Sequence, residues 1–297
     1  MEIWMDRKIY CCFQFFNEFE LLKLKLEELY NIVDHFVLSE STKTHSGLDK
    51  PLYFKENKHL FSKYTDKIIH QIVADTPATP EILMEMSSIN SAHKKIIDGV
   101  KNSYWFDKNI EGYMRDTYEK EILFLPLTKC KDSDIIVIGD CDEIPKVSMV
   151  EKTLNSFDDN QIYHLQHDVF YYYLNLRKDE PWYGNIIMSF KNFKTHSFCE
   201  LRTNKNGSFI KDAGWHFSYM GGYEKVKRKI ESFGEQRCNT EKVKIELRNS
   251  IENAVNLSRD LYNRPCKFWL EPISYKTHPL YLVENQNEFK SFIYKEA

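Results

Sequence analysis

The chain has 297 residues and a formal net charge of −3 at pH 7, and 42% of its residues are hydrophobic. This length allows one large domain or two small ones with an ample core, and the near balance of 41 basic and 44 acidic residues argues against a general nucleic-acid binder. Seven cysteines, without a Cys-x-x-Cys spacing, argue against a disulfide framework or a zinc site and for a reducing compartment.

The amino terminus carries no apolar targeting segment, because the charged residues Asp6, Arg7 and Lys8 interrupt it. No apolar run approaches the length that is needed to span a bilayer. We therefore expect a cytoplasmic protein without a transmembrane segment.

A βαβ unit is predicted next. Residues 8–16 and 34–40 are apolar strands, and the helix between them carries a buried stripe at helical spacing from residue 19 to residue 29. Asn17 is predicted to cap this helix in a capping box with Glu20. Such a unit implies a right-handed crossover and a parallel sheet.

Polar residues follow the second strand, from Glu40 to Gly47. An acid and hydroxyl groups at the carboxyl end of a strand suit the hydroxyls and ring edges of a nucleotide, and a solvated polar loop is the alternative. Residues 51–54 are predicted as a short edge strand and residues 67–73 as a third strand.

Residues 112–123 are predicted to form a helix that leads toward a central strand. Arg115 on this helix could face a diphosphate, because the guanidinium fork matches phosphate oxygens. The alternative is an arginine that pairs with a neighbouring acid on a solvated face.

The most informative stretch is an apolar strand that ends in acid. Residues 135–138 are β-branched throughout and are typical of a strand buried on both faces, and Asp140, Asp142 and Glu143 follow directly. Ligands of open α/β sheets bind at the carboxyl ends of the strands. Because carboxylates this close repel one another, a divalent cation is their natural partner, and a solvated acidic turn is the alternative.

The remainder is predicted as a helix over 149–157, strands over 161–173 and 182–190, and a helix over 241–261. Asp168 lies on the polar face of the first of these strands.

The segment 211–219 is the second informative stretch, because His216 lies between Gly214 and a glycine pair that allow close backbone approach. A buried core histidine is the alternative. The helix predicted over 223–233 carries basic side chains between residues 225 and 229, which either lie near phosphates or are solvated.

These segments together resemble glycosyltransferase family 17, the β-1,4-mannosyl-glycoprotein 4-β-N-acetylglucosaminyltransferases, whose animal members add the bisecting N-acetylglucosamine to N-glycans. The resemblance is carried by residues 17–22, 40–41, 51–56, 140–145, 214–218 and 279–282. It implies a GT-A-type, Rossmann-like α/β fold with a mostly parallel sheet flanked by helices. One domain would span residues 1–297, with a nucleotide-sugar half at about 1–145 and an acceptor half at about 146–297.

The resemblance also implies the site. Asp140 and Asp142 match the acidic metal motif, with Asp142 as the preferred direct ligand, and His216 is the candidate third ligand. Glu40 and Arg115 occupy places where such folds contact the nucleotide or the diphosphate, and Asp140 is counted with them. Unlike the animal Golgi enzymes, this chain is expected to have no membrane anchor.

The expected reaction moves a sugar from a donor such as UDP-N-acetylglucosamine to a glycan hydroxyl. Mn²⁺ or Mg²⁺ would neutralise the leaving diphosphate, and a carboxylate base would help the hydroxyl to attack with inversion. Asp212, Asp168 and Glu143 are the candidate bases, and Trp182 and the tyrosines at 171–173 would line the acceptor site.

Two other functions are considered. A non-catalytic carbohydrate-binding module would keep the aromatic residues but bind no nucleotide. A phosphohydrolase with an Asp nucleophile would carry its acidic pair at the first strand, whereas here the pair is in the middle of the chain. The acceptor glycan and the donor sugar stay open.

Overall fold

The computed structural model of the protein describes residues 6–77, 79–86, 90–103 and 110–295. The strands in this part of the chain are Ile9–Gln14 (β1), His35–Ser41 (β2), Ile68–Val73 (β3), Ile135–Ile138 (β4), Glu143–Pro145 (β5), Tyr163–Tyr171 (β6), Leu176–Ser189 (β7), Ser208–Ser218 (β8) and Phe268–Leu270 (β9).

The α-helices in the same part are Phe19–Leu29 (α1), Tyr53–Glu56 (α2), Pro80–Met86 (α3), Ser91–Asn102 (α4), Glu111–Glu121 (α5), Val147–Asn155 (α6), Phe190–Phe193 (α7), Phe198–Thr203 (α8), Gly222–Ser232 (α9), Glu241–Glu252 (α10) and Leu280–Glu284 (α11). Short 3₁₀ helices span Lys58–Tyr64, Ile122–Leu127, Gln236–Cys238, Ala254–Asn256 and Lys290–Phe292. No helix among the described residues is long and apolar enough to cross a membrane.

The strands form one curled sheet in the order β3-β2-β1-β4-β7-β6-β8-β5, and β9 pairs with β7. The first four strands pair in parallel, β7 is antiparallel to both β4 and β6, and β6 is parallel to β8. The predicted α/β class and the predicted parallel βαβ unit of β1, α1 and β2 are therefore confirmed.

Both faces of the central strands are buried. Side chains of β1 and β4 alternate between two hydrophobic clusters, with Ile9 and Ile135 on one face and Tyr10 and Ile136 on the other. Helix α1 covers the first face, and helices α4 and α5 cover the second. This two-sided burial is why the sequence of β4 is apolar throughout rather than alternating.

The predicted capping box at α1 is wrong. The helix is preceded by Glu18 at its N-cap, without a side-chain cap, and the carboxylate of Glu18 instead accepts the amides of Phe16 (3.2 Å) and Asn17 (3.0 Å). These bonds fix the turn that connects β1 to α1. The buried face of α1 is also broader than predicted, since Leu21 and Leu24 pack into a separate cluster.

Residues 51–54 do not form the predicted edge strand, because the carboxylate of Glu40 organises a helical turn there. Its oxygens accept the amides of Phe54 (2.7 Å) and Lys55 (3.3 Å), which are the unpaired donors at the start of α2. The predicted helix over 241–261 ends at Glu252, and β7 begins at Leu176 rather than at residue 182.

Candidate functional site

A cleft of about 460 Å³ opens at the carboxyl ends of β1, β2 and β4, and the ends of β6 and β8 form its opposite wall. This volume is in the range of small-ligand sites. Because the parallel strands of both halves end at this edge, their polar side chains meet here, as is usual for open α/β sheets.

The acidic turn after β4 lies in this cleft. Asp140 and Asp142 line the wall, and β5 pairs with β8 so that Glu143 lies opposite His216. This pairing brings His216 Nε2 to 3.6 Å from Asp142 Oδ1. Lys25 of α1, which is fully buried, fixes the turn by donating to the carbonyls of Asp140 (2.6 Å) and Glu143 (2.8 Å).

Asp142 is held as an anion. Burial alone would raise the pKa of Asp142, but Lys229, whose ammonium is 3.0 Å from Asp142 Oδ2, and His216 hold it well below its usual range. In the same way burial alone would lower the pKa of Lys229, whereas Asp142 and Glu18 raise it above its usual value. The pair is therefore fully charged at neutral pH.

Arg202 of α8 neutralises the other two carboxylates of the turn, those of Asp140 and Glu143. Its guanidinium donates to Asp140 Oδ2 (2.8 Å) and to both oxygens of Glu143 (2.6 and 2.9 Å). Glu143 also accepts the amide of Asp140 (2.8 Å) and the indole of Trp182. Burial would raise the pKa of Glu143, but Arg202 lowers it well below its usual range, so Glu143 is an ionised anchor behind the cleft wall.

The donor atoms of the turn fit a divalent cation that is shared with a substrate. Within the described ranges, no group of three or more His, Cys, Asp or Glu side chains could hold a metal ion by itself. However, Asp140 Oδ1 is buried and has no hydrogen-bond partner among the described residues, and it lies in the same wall as Asp142. One or two carboxylates completed by substrate phosphates are a usual way to hold Mg²⁺.

The part of the cleft at the end of β1 offers an acceptor and a donor without hydrogen-bond partners among the described residues. Gln14, the last residue of β1, donates to Asp116 Oδ1 (3.1 Å), and its Oε1 atom is buried and unpaired within the described part of the chain. The ammonium of Lys50 is also buried and has no hydrogen-bond partner among the described residues, and it lies 5.7 Å from the centre of the Phe16 ring. Burial lowers the pKa of Lys50.

His45, in the loop after β2, lies between two carboxylates in this region. Its Nε2 atom is 3.0 Å from Glu119 Oε2, and its Nδ1 atom is 3.7 Å from Asp116 Oδ1. Burial alone would lower the pKa of His45, but the two acids raise it, while the pKa of Asp116 falls to about 2 because Lys120 and His45 outweigh its burial.

Two predicted nucleotide contacts lie outside the described cleft wall. Glu40 is fully buried against α2 and lies 3.0 Å from His70 Nε2. Arg115 pairs with Glu111 and donates to the carbonyl of His45 (3.1 Å) from behind the loop. Arg115 thus supports the loop that carries His45, and its contact with a diphosphate stays a prediction, as does the role of Glu40.

The predicted bases also lie away from this wall. Asp168 pairs with Arg177, and Asp212 pairs with Lys146 and has a side chain that is 77% exposed. Together with the buried Glu143, these acids are absent from the described lining of the cleft. Of the predicted site residues, the structure brings together Asp140, Asp142 and His216, whose role as metal ligands stays a prediction.

Sequence reasoning missed Arg202 and gave Lys229 only as one member of a basic helix face. No local pattern marks Arg202, because its partners lie 59 and 62 residues away in the chain. For Gln14 a signal existed, since a polar residue at the carboxyl end of a predicted parallel strand belongs to the same edge as the acidic turn.

His167, beneath the turn, gives a test of the buried network. It is fully buried, and neither ring nitrogen has a hydrogen-bond partner among the described residues. Burial lowers its pKa to about 3, so the unfolded chain takes up a proton between pH 6.5 and that value while the folded chain does not. The contribution of the neutral His167 to the free energy of unfolding is therefore fully present above pH 6.5 and is lost as the pH falls. The loss amounts to about 2 kcal/mol at pH 5.

His167→Met is expected to narrow the difference in the free energy of unfolding between pH 7.5 and pH 5 by about 2 kcal/mol, because this residue no longer titrates. Urea denaturation at both pH values measures the difference, and His59→Met, at an exposed histidine, is the control. An unchanged difference in His167→Met would contradict the neutral buried state.

The fold and the cleft define an α/β enzyme whose acidic turn lies at the carboxyl end of a central parallel strand. The family model described as glycosyltransferase family 17 matches residues 2–85 and 82–293. The chain belongs to this family and is a glycosyltransferase. No curated protein matches the chain significantly.

Proposed function

We propose that this chain is a metal-dependent, inverting glycosyltransferase of the GT-A type that moves N-acetylglucosamine from a UDP-sugar to a hydroxyl group of a glycan. The observation that carries the proposal is the meeting of Asp140, Asp142 and His216 in a cleft of about 460 Å³ at the end of β4. Family membership supports the transfer of a sugar, and the geometry of the cleft supports the finer assignments.

The end of the cleft at β1 supports a uridine nucleotide. Gln14 Oε1 needs a donor, and Lys50 Nζ needs an acceptor. Uracil offers an N–H group beside carbonyl oxygens, whereas cytosine presents an acceptor at the same ring position. The ring of Phe16 lines the same region and offers an apolar face to the base.

The acidic turn supports binding of the diphosphate. A bound Mn²⁺ or Mg²⁺ would be held by Asp140 and Asp142, with His216 beside them, and would supply charge neutralisation of the leaving diphosphate. The protein's own contribution is the fixed turn, since Arg202 and Lys25 hold its carboxylates and carbonyls in place. Such preorganisation avoids reorganisation cost during the reaction.

The other wall supports a sugar acceptor. Tyr171, Trp182, Tyr219 and Tyr262 line it, and aromatic rings suit the apolar faces of sugars. Trp182 lies 5.2 Å, centre to centre, from the ring of His216, so the aromatic wall adjoins the acidic turn.

For the base we propose Glu180 of β7, ahead of the three acids selected from the sequence. Glu180 lines the cleft, and its side chain is 61% exposed and bonded to Lys178 at 2.8 Å. Away from the acidic turn, the other acids of the described wall have side chains that are at most 20% exposed; they are Glu18, Asp116, Glu119 and Glu235. An exposed carboxylate is free to accept the proton of an acceptor hydroxyl.

Glu180→Gln is expected to lower kcat by about 10²–10⁴-fold and to change the KM for the donor little, because general-base assistance acts in the transition state. The rate of UDP release is measured with saturating donor. Glu246→Gln, at a side chain that is also 61% exposed but lies on α10, is the matched control. A kcat for Glu180→Gln equal to that of the control would rule out Glu180 as the base.

A donor screen tests the function as a whole. UDP-N-acetylglucosamine, other UDP-sugars and a GDP-sugar are incubated with mixed glycans, with Mn²⁺ or with a chelator, and the released nucleoside diphosphate is measured. We expect release from a UDP-sugar with Mn²⁺ and an inverted anomeric centre in the product by NMR. Equal release of nucleoside diphosphate with the chelator would rule out the metal dependence. No release from any donor would rule out the proposed function.

A further inference from the structure

The ammonium of Lys229 lies where a cation bound to Asp142 would lie. Its ammonium is 3.0 Å from Asp142 Oδ2 and 3.9 Å from Glu18 Oε1, and its side chain, 27% exposed, lines the cleft. It extends from the last turn of α9, whose terminal residue Ser232 also lines the cleft. The ammonium is thus a partly exposed group in the wall of the cleft rather than part of the core.

The two cations at the acidic turn, Arg202 and Lys229, differ in how firmly they are bound. Arg202 is bound to Glu143 and Asp140 by several hydrogen bonds and is fixed. Lys229 is the counter-ion of Asp142, and a lysine is a flexible four-carbon stem with a single charged group that can rotate. A divalent cation that approaches Asp142 meets this ammonium, and two positive charges at one carboxylate repel each other.

We propose that Lys229 is a movable counter-ion, which neutralises Asp142 in the donor-free protein and pairs with the donor diphosphate when a divalent cation takes Asp142. This inference rests on the proposed function for the identity of the diphosphate. The competition between Lys229 and the cation rests only on the geometry around Asp142.

The exchange has a thermodynamic consequence. Without nucleotide the cation has to displace Lys229 into a cleft that offers it Glu18 as a partner, so cation binding is weak. With a diphosphate present, Lys229 gains a new anionic partner and the cation gains phosphate ligands. Cation and nucleotide therefore strengthen each other's binding, and by linkage the factor is the same in both directions.

Lys229→Met separates the two roles, because it removes the charge but keeps an unbranched side chain. We expect Mn²⁺ alone, followed by its paramagnetic resonance signal, to bind about tenfold more tightly to this variant than to the unmodified protein. We expect UDP, titrated by calorimetry at saturating Mn²⁺, to bind about tenfold more weakly. Lys225→Met, one turn earlier on α9 at a lysine that pairs with Glu20 at 2.7 Å, is expected to match the unmodified protein in both titrations.

Unchanged Mn²⁺ affinity in Lys229→Met would overturn the competition, and unchanged UDP affinity would overturn the transfer of Lys229 to the diphosphate. Lys229→Gln repeats both titrations with a polar side chain, so that the comparison does not depend on one variant folding. Absence of UDP binding to the unmodified protein would instead count against the proposed function, and the nucleotide-free Mn²⁺ titration would still decide whether Lys229 competes with the cation.

Discussion

Asp142→Asn is expected to lower the rate of UDP release by about 10²–10³-fold, the usual effect of removing one preorganised electrostatic group. The substitution keeps the size of the side chain but removes the charge that faces Lys229 and His216. The loss should appear in kcat with saturating donor and Mn²⁺, since in the proposed reaction the charge of the leaving diphosphate develops in the transition state.

The matched control for this variant is Asp132→Asn, at a side chain that is 63% exposed and pairs with Lys194 outside the cleft. It should keep the full rate. Near-native circular dichroism of Asp142→Asn would show that the loss is not caused by unfolding. A rate within threefold of the control would mean that Asp142 takes no part in the reaction.

Arg202→Met is expected to lower the free energy of unfolding by about 3–5 kcal/mol, the range for breaking a buried ion pair by removing one partner. The variant leaves the carboxylate of Glu143, which is fully buried, without the cation that neutralises it, and it also releases Asp140. Because Arg202 holds the turn on which the site is built, activity at a permissive temperature should fall as well.

Urea denaturation measures this loss, with Arg248→Met as the control at a side chain that is 58% exposed and lies 3.9 Å from Glu224. The control should change stability by no more than about 0.5 kcal/mol. Arg202→Lys keeps the positive charge but not the planar guanidinium that bonds two carboxylates at once, so we expect an intermediate loss of the free energy of unfolding. A loss below about 1 kcal/mol in Arg202→Met would show that Glu143 is not dependent on this arginine.

Local patterns predicted much of the fold. The βαβ unit follows from apolar periodicity, and the buried β4 follows from its continuous β-branched run, because both depend on neighbouring residues. The predicted edge strand was wrong because a group from another strand overrides the local pattern. The amide of Phe54, at the end of the predicted strand over 51–54, and that of Lys55 instead bond to Glu40 of β2.

The candidate site was predictable where it lies on the acidic turn or on the glycine-flanked segment 211–219. Asp140 and Asp142 follow from the acid after an apolar strand, and His216 from the glycine-flanked segment that β5 brings alongside it. The proposed base was not predictable, because Asp168, Asp212 and Glu143 differ from Glu180 only in what surrounds them. Asp212, like Glu180, is exposed and pairs with a lysine, so Glu180 is set apart by its position in the cleft wall, which residue type does not show.

By itself the sequence determined that an apolar inner strand ends in carboxylates at the edge where parallel strands place their ligands. Only the tertiary structure decided which cations neutralise those carboxylates. Lys229 reaches Asp142 across 87 residues of chain, and Arg202 reaches Glu143 across 59. The reason is that secondary structure depends on periodicity over a few residues, whereas the partner of a buried charge is set by how the two halves of the sheet close on each other.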